Sequence, residues 1–234
     1  SSCEVRVVVS DAAKESDVRR MFAGVARCDG GPRLFGLWHL AGVLLDGLLH
    51  SQTAQSFRRV YAPKALGSCS LQRASAAAPL EACVLFSSAA TLIAGGTASY
   101  AAANCCLDAT STMRRRAGQA AASVQWGPWG EVGMNRLEAA DRALRAMGYG
   151  LISMAEAGPT LAAALSGAGP AVHMLILVDW SRFLGVLRAV PVALSAFASS
   201  RAASKEAETR AAVSVESVMG TALSQMPPAA RQPH

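Results

Sequence analysis

Residues 84–104 read VLFSSAATLIAGGTASYAAAN. The apolar run Ala82–Phe86 ends on two hydroxyls, Ser87 and Ser88. A glycine-rich passage follows, then Tyr100, and then Asn104 in a run of alanines. A short apolar run bounded by polar and glycine residues has the length of a buried strand. Alanine is the strongest helix former, so a helix is expected from Ser99 to about Ala117. Residues four apart share a helix face, which puts Tyr100 and Asn104 on one side. A strand ending in hydroxyls, opposite a helix bearing a phenol and an amide, makes a pocket with a polar wall.

Strands and helices alternate outward from this stretch. On its N-terminal side, Val5–Val9 reads as a buried strand of a parallel sheet, with Asp11 at its carboxyl end. A helix around Ser16–Arg27 follows, which Asp11 would also cap. Leu34–Val43 reads as a second strand, broken by Gly42, and Ser56–Ser75 as a long helix containing Lys64. On the C-terminal side, Ala121–Trp126 reads as a strand stopped by Gly127-Pro128. Asn135–Met147 is expected to be helical, Ser153 and Glu156 form a capping box for the next helix, and Ala171–Val178 is the last strand. This order implies an α/β fold with a doubly wound, Rossmann-like parallel sheet, whose ligand crevice lies outside the carboxyl ends of the strands.

The glycine-rich phosphate loop that should follow the first strand of such a fold is not in the sequence. The expectation is therefore the C-terminal part of the sheet, lacking its first strands. The opening Ser-Ser-Cys shows no signal-peptide pattern and is read as the start of a fragment. From about Ala198 the composition shifts to alanine, serine and charge, as in a linker. Val215, Val218, Met219, Ala222 and Leu223 then follow helical spacing. Residues 1–197 are assigned to one domain. Residues 198–234 are assigned to a linker, ending either in a linker helix or in the start of another domain.

The chain has 234 residues, 52% of them hydrophobic, and a net charge of +6. That is enough for a sizeable core. No basic motif carries interleaved aromatics, so the positive charge reads as scattered surface arginine rather than a nucleic-acid surface. Arg114-Arg115-Arg116 falls where a helix should end and complements its dipole. The six cysteines show no metal-ligand spacing. They read as reduced thiols of a cytoplasmic protein, and no metal site is expected. Gly158–Val178 lacks Asp, Glu, Lys and Arg, but its glycines, its prolines and His173 indicate a helix, a turn and a strand rather than a membrane span.

Six segments occur in a telling order: HLAGVLLDGLL (His39–Leu49), APKALG (Ala62–Gly67), LFSS (Leu85–Ser88), YAAAN (Tyr100–Asn104), WGPWGEVGM (Trp126–Met134) and DWSRF (Asp179–Phe183). Together they resemble the ketoreductase domains of modular polyketide synthases, in the short-chain dehydrogenase/reductase family, over roughly Val5–Val190. Most of the wider family has lysine four residues after the tyrosine. In the synthase ketoreductases lysine and asparagine trade places, and Asn104 with an upstream Lys64 follows that pattern.

The resemblance implies a catalytic tetrad of Lys64, Ser88, Tyr100 and Asn104. Tyr100 would donate the proton, with a nearby Lys64 ammonium favouring its phenolate. Ser88 would hydrogen-bond the ketone oxygen, and Asn104 would orient Lys64 or a water. NADPH is the implied cofactor, contacted by Asp11, Ala12, Leu40, Ala41, Gly42, Lys64, Ser87, Tyr100, Gly127 and Pro128. Asp46 and Trp129 would meet the substrate. The implied reaction is reduction of a β-ketoacyl thioester, carried on the phosphopantetheine of an acyl carrier protein, to the β-hydroxyacyl thioester. Other synthase domains are implied partners, and the segment after Ala198 could open a carrier domain. His39 is read as a satisfied strand-end histidine rather than a catalyst.

Departures from the family pattern accompany these matches. The loop between the serines and Tyr100 is one residue short. Counting back from Tyr100 therefore reaches Ser87, whereas aligning the strand reaches Ser88. The strand is followed here, because loops absorb deletions more readily than ladders. Leu40 and Leu45 stand where the family often has alanine and aspartate. These departures favour an alternative, an inactive and structural ketoreductase-like domain within a synthase. Asp46, with no tryptophan between Ser88 and Tyr100, resembles the subtype that forms the D-configured β-hydroxyl.

Overall fold

The structure is a computed structural model and describes residues 5–26, 34–45, 47, 49–93, 98–130, 138–187 and 189–198. Its centre is a parallel sheet of β1 (Gly36–His39), β2 (Ala82–Ser88), β3 (Ala122–Trp126) and β4 (Val172–Leu175), in that spatial order. Leu85 pairs with His39 on one side and with Ser123 on the other, and Trp126 pairs with both Ser88 and Leu175. β2 is buried on both faces, as a central parallel strand should be. Cys83 and Leu85 pack with Leu107 and Ala121, while Val84 packs with Val124, Trp126, Ile152, Ala157 and Ala164.

The helices are α1 (Glu15–Ala26), α2 (Ala54–Tyr61), α3 (Gly67–Ala74), α4 (Ala90–Ile93), α5 (Ala98–Arg116), α6 (Glu138–Ala146), α7 (Met154–Leu165) and α8 (Trp180–Val186). Leu107 places α5 on one face of the sheet, and Ala157 and Ala164 place α7 on the other. Since β2, β3 and β4 are parallel and sequential, the crossovers through α5 and α7 have opposite hands. The right-handed form is the general rule for such units. At the far end of α5, Gly118 (φ +73°) takes the left-handed conformation that closes a helix and that a side chain would strain. Arg114 then donates to Ala120 O (3.2 Å), and Arg115 to Gly167 O and Gly169 O (2.6 and 2.9 Å). Two of the three clustered arginines therefore tie loops to the helix end.

The structure corrects several sequence expectations. Val5–Val9 is not a strand. These residues have no ladder partner among the described residues, and Val7 and Val9 are 91% and 98% exposed. The second strand is confined to Gly36–His39, because Gly42 lies in the loop that meets Lys64. The last strand ends at Leu175, and its final bridge is with Trp126. The helix expected over Ser56–Ser75 starts earlier, at Ala54, and is not uniform. Thr53 caps it in a reciprocal box with Ser56, and Ala62–Leu66 forms a π-helical turn between α2 and α3. Pro63 explains that turn. It lacks an amide hydrogen, and its ring crowds the carbonyl one turn earlier, so the helix widens. The Ser153–Glu156 capping box forms as read.

Among the described residues, those within Ser1–Asp141 and Leu151–Leu177 form one compact unit, and those within Arg142–Gly150 and Val178–His234 a second. Residues 199–234, and with them the assigned linker and carrier-domain start, lie outside the described residues, as do Asp46 and residues 94–97 of the short loop. No described helix is long and apolar enough to cross a membrane.

Candidate active site

The carboxyl ends of β1, β2 and β3 deliver Leu40–Gly42, Ser87–Ser88 and Gly127–Pro128 to one edge of the sheet. The π-helical turn delivers Lys64 to the same place, and the first two turns of α5 deliver Tyr100 and Asn104. Lys64 is 3% exposed, and its ammonium donates to Phe86 O (2.7 Å), two residues before Ser88. A Cβ at Gly42 would lie 2.9 Å from Lys64 Cε, so any side chain there would force the lysine off this path. Nζ stands over the Tyr100 ring, 5.6 Å from its centroid. Lys64, the end of β2 and Tyr100 thus converge.

Burial pushes the Tyr100 phenol above its ordinary value, and the nearby side chains of Asn104 and Ser88 pull the other way. The phenol therefore keeps its proton at neutral pH, the form a proton donor needs. The ammonium sits over the ring face and is itself costly to keep charged, because burial lowers the Lys64 pKa from 10.5 to about 8, with Asp108 opposing. Asn104 is fully buried. Its Nδ2 donates to Tyr100 O (2.9 Å), while its Oδ1 has no hydrogen-bond partner. The amide therefore anchors the helix turn that carries Tyr100 rather than bonding Lys64.

The two serines separate cleanly. Successive strand residues point to opposite faces. Ser87 is buried against α5, its hydroxyl 3.4 Å from Asn104 O. Ser88 is only partly buried, accepts from Ala90 N (3.2 Å) and acts on the Tyr100 phenol. Asp11 accepts from Ala13 N (3.0 Å), an Asx turn in the bend before α1 rather than the cap on the helix itself. Ala12 lies beside Gly67 and His39. Trp129 is half-buried with its ring 5.0 Å from Trp126, extending a cluster of tilted rings that includes Phe86. His39 is a buried strand-end histidine hydrogen-bonded to Lys64 O, as read from the sequence.

One polar network was not foreseen. Asp108 is one turn beyond Asn104 on α5. It accepts from Ser123 Oγ (2.6 Å) and Gln125 Nε2 (2.7 Å) on β3 and is the carboxylate that opposes the loss of charge on Lys64. Its signal was the i, i+4, i+8 series Tyr100, Asn104, Asp108, facing the alternating polar residues of the strand ASVQW.

The depressed Lys64 value makes a stability prediction. The folded state holds this proton less tightly than the unfolded chain, so burial costs stability below pH 8. That cost disappears as pH rises from about 8 toward 10.5. Compared with Lys64→Met, the wild-type chain should gain on the order of 3 kcal/mol across that window in urea unfolding. Parallel pH profiles would show that the ammonium is solvated.

A nicotinamide cofactor would meet a fitting surface here. Small or main-chain groups at Ala41, Gly42 and Gly127 line the edge, Leu40 is 59% exposed at its mouth, and a buried amide oxygen on Asn104 lacks a partner. These residues suit the nicotinamide-ribose half.

The profile of the family described as "KR domain" matches residues 1–131. The polyketide synthase GfsB of Streptomyces halstedii is 38% identical over 191 residues, covering 81% of this chain and 3% of that protein. The spectinabilin polyketide synthase system protein NorB of Streptomyces orinoci is 43% identical over 130 residues, 55% of this chain and 6% of that protein. The chain thus spans a small fraction of these relatives. Among solved structures, an A-type ketoreductase from a modular polyketide synthase superposes with TM-score 0.72 at 31% identity, covering 80% of this chain and 39% of that one. A C2-type ketoreductase gives 0.68 at 32% identity, covering 79% and 40%. Backbone likeness therefore does not separate the types.

Proposed function

We propose, since this chain belongs to the ketoreductase domain family of modular polyketide synthases, that it reduces a β-ketoacyl thioester, carried by an acyl carrier protein, with NADPH. The convergence of Lys64, Ser88 and Tyr100 at the carboxyl edge of the sheet carries this proposal. Ketone reduction needs a hydride on carbon and a proton on oxygen, and no side chain carries hydride. NADPH would supply it when bound, held by Leu40–Gly42, Ser87, Gly127–Pro128, Lys64 and Tyr100, with Asp11 and Ala12 toward the far end of the crevice.

The protein's own residues do the remaining work. Ser88 donates a hydrogen bond to the ketone oxygen and holds the carbonyl in place. Tyr100, protonated at neutral pH, passes its phenolic proton to that oxygen as negative charge develops. Lys64 stands over the ring with a positive charge that steadies the phenolate formed at that moment. Asn104 fixes the helix turn beneath Tyr100 and presents a free acceptor where a proton-carrying water would bind. Asp46 and the outer edge of Trp129 are proposed to meet the acyl-pantetheine arm, giving a D-configured hydroxyl. The chain would act within a larger cytoplasmic synthase, beside its carrier protein.

The test is NADPH consumption by the synthase polypeptide supplied with a β-ketoacyl pantetheine thioester. Saturable consumption matched by β-hydroxyacyl product supports the proposal. A folded domain that consumes none supports the inactive, structural alternative.

A further inference from the structure

Lys64 stands on a widened turn that Pro63 starts and that its surroundings must fix. A π-helical turn gives up regular i to i−4 bonding. Here Pro63 offers no amide hydrogen, and the Gly67 amide reaches back to Ala62 O and Lys64 O. Such turns are costly unless their surroundings fix them.

The structure supplies a buried clamp. His39 is the last residue of β1 and is 3% exposed. Its Nε2 lies 3.3 Å from Lys64 O. The ring packs closely over Gly67, where an added Cβ would lie 3.1 Å from His39 Cε1 and 3.3 Å from Ala12 Cβ. The strand, through one imidazole, thus grips the carbonyl of the residue whose side chain reaches Phe86 O and the Tyr100 ring.

We propose that His39 is a positioning residue: its Nε2–H donates to the Lys64 carbonyl, holds the π-helical turn open and thereby aims the ammonium at Tyr100. The Nε2–H tautomer of the neutral ring is the one that donates. Burial lowers the ring's affinity for a second proton; the hydrogen bonds to the Lys64 and Pro63 carbonyls oppose it, the Lys64 charge adds to it, and the net shift is downward. The titratable groups around Lys64 are His39 from β1 and Tyr100 and Asp108 from α5. Gly67 belongs to the same device, because a Cβ there would press on the ring at 3.1 Å and oblige it to shift.

The catalytic arm of the test rests on the proposed reductase reaction, whereas the titration arm does not. In the titration arm, the full chain is unfolded in urea from pH 7 to 10.5 as wild type, His39→Leu, His39→Gln and Gly67→Ala, each with and without Lys64→Met. The Lys64-dependent rise in midpoint should fall by at least half in His39→Leu, as the released ammonium relaxes into solvent. It should fall in Gly67→Ala, and it should survive in His39→Gln, whose amide can donate to the same carbonyl. If His39→Leu does not fold, the milder Gly67→Ala decides. A full rise in the leucine variant, or in Gly67→Ala where that one decides, would overturn the proposal and make His39 a space-filler.

In the catalytic arm, kcat for β-ketoacyl reduction by the synthase should drop on the order of tenfold or more in His39→Leu. KM for NADPH should be little changed, and His39→Gln should recover most of the rate. Equal rates in wild type and His39→Leu would also overturn it. A wild type without any reduction would count against the proposed function alone, with the titration arm still deciding the role of His39.

Discussion

Replacing Tyr100 with phenylalanine is expected to lower turnover of a β-ketoacyl thioester by about a thousandfold while leaving NADPH affinity within a fewfold of wild type. The substitution deletes one oxygen from a ring that is 8% exposed and packed at the start of α5. The ring keeps its packing and its contact with the Lys64 ammonium, so the fold should be undisturbed. What is lost is the proton that must reach the ketone oxygen as hydride reaches its carbon. Without that proton, a buried alkoxide would have to form opposite only Ser88. The phenol is suited to the task because burial holds its pKa above the ordinary value and keeps it protonated. Steady-state rates and cofactor fluorescence titration, side by side, check the two halves of this expectation. Wild-type turnover in the variant would remove Tyr100 as the acid.

Ser88→Ala should cost about a hundredfold in kcat, the scale of losing one hydrogen-bond donor to a developing oxyanion. Ser87→Ala should cost little turnover and about 1 kcal/mol of stability, since its buried hydroxyl serves the Asn104 carbonyl inside the fold. The two residues are neighbours on β2, and the pleat sends them to opposite faces. Spacing back from Tyr100 favours Ser87, and the strand register favours Ser88. The reverse order of effects in kinetics and urea unfolding would show that the short loop shifts the substrate by one position.

Much of this arrangement was legible in the sequence because it depends on local patterns. β2, the α5 helix and the Gly127-Pro128 stop lie where apolar runs, alanine content and breakers place them, within a residue or two. The capping box at Ser153 formed because its two partners are three residues apart in the chain. Tertiary partners were not legible. Val5–Val9 has strand composition, yet a strand exists only where another strand pairs with it. The π-helical turn follows from Pro63, but the contacts around Lys64, with His39 and Gly42, come from another part of the chain. The Asp108–Ser123–Gln125 network joins a helix to a strand and has no short-range signature. Residue types specify that an ammonium and a phenol are both available, but not that the ammonium lies over the ring face.

The measurement closest to the central proposal is the fate of the hydride. The synthase polypeptide, given a β-ketoacyl thioester and NADPH deuterated at nicotinamide C4 on the transferred face, should yield a β-hydroxyacyl product with deuterium on the β-carbon. The Tyr100→Phe protein, folded and still binding NADPH, should yield almost none. A folded wild-type protein that leaves the ketone unreduced, or reduces it without deuterium at that carbon with either face labelled, would contradict the assignment of this site as a ketoreductase.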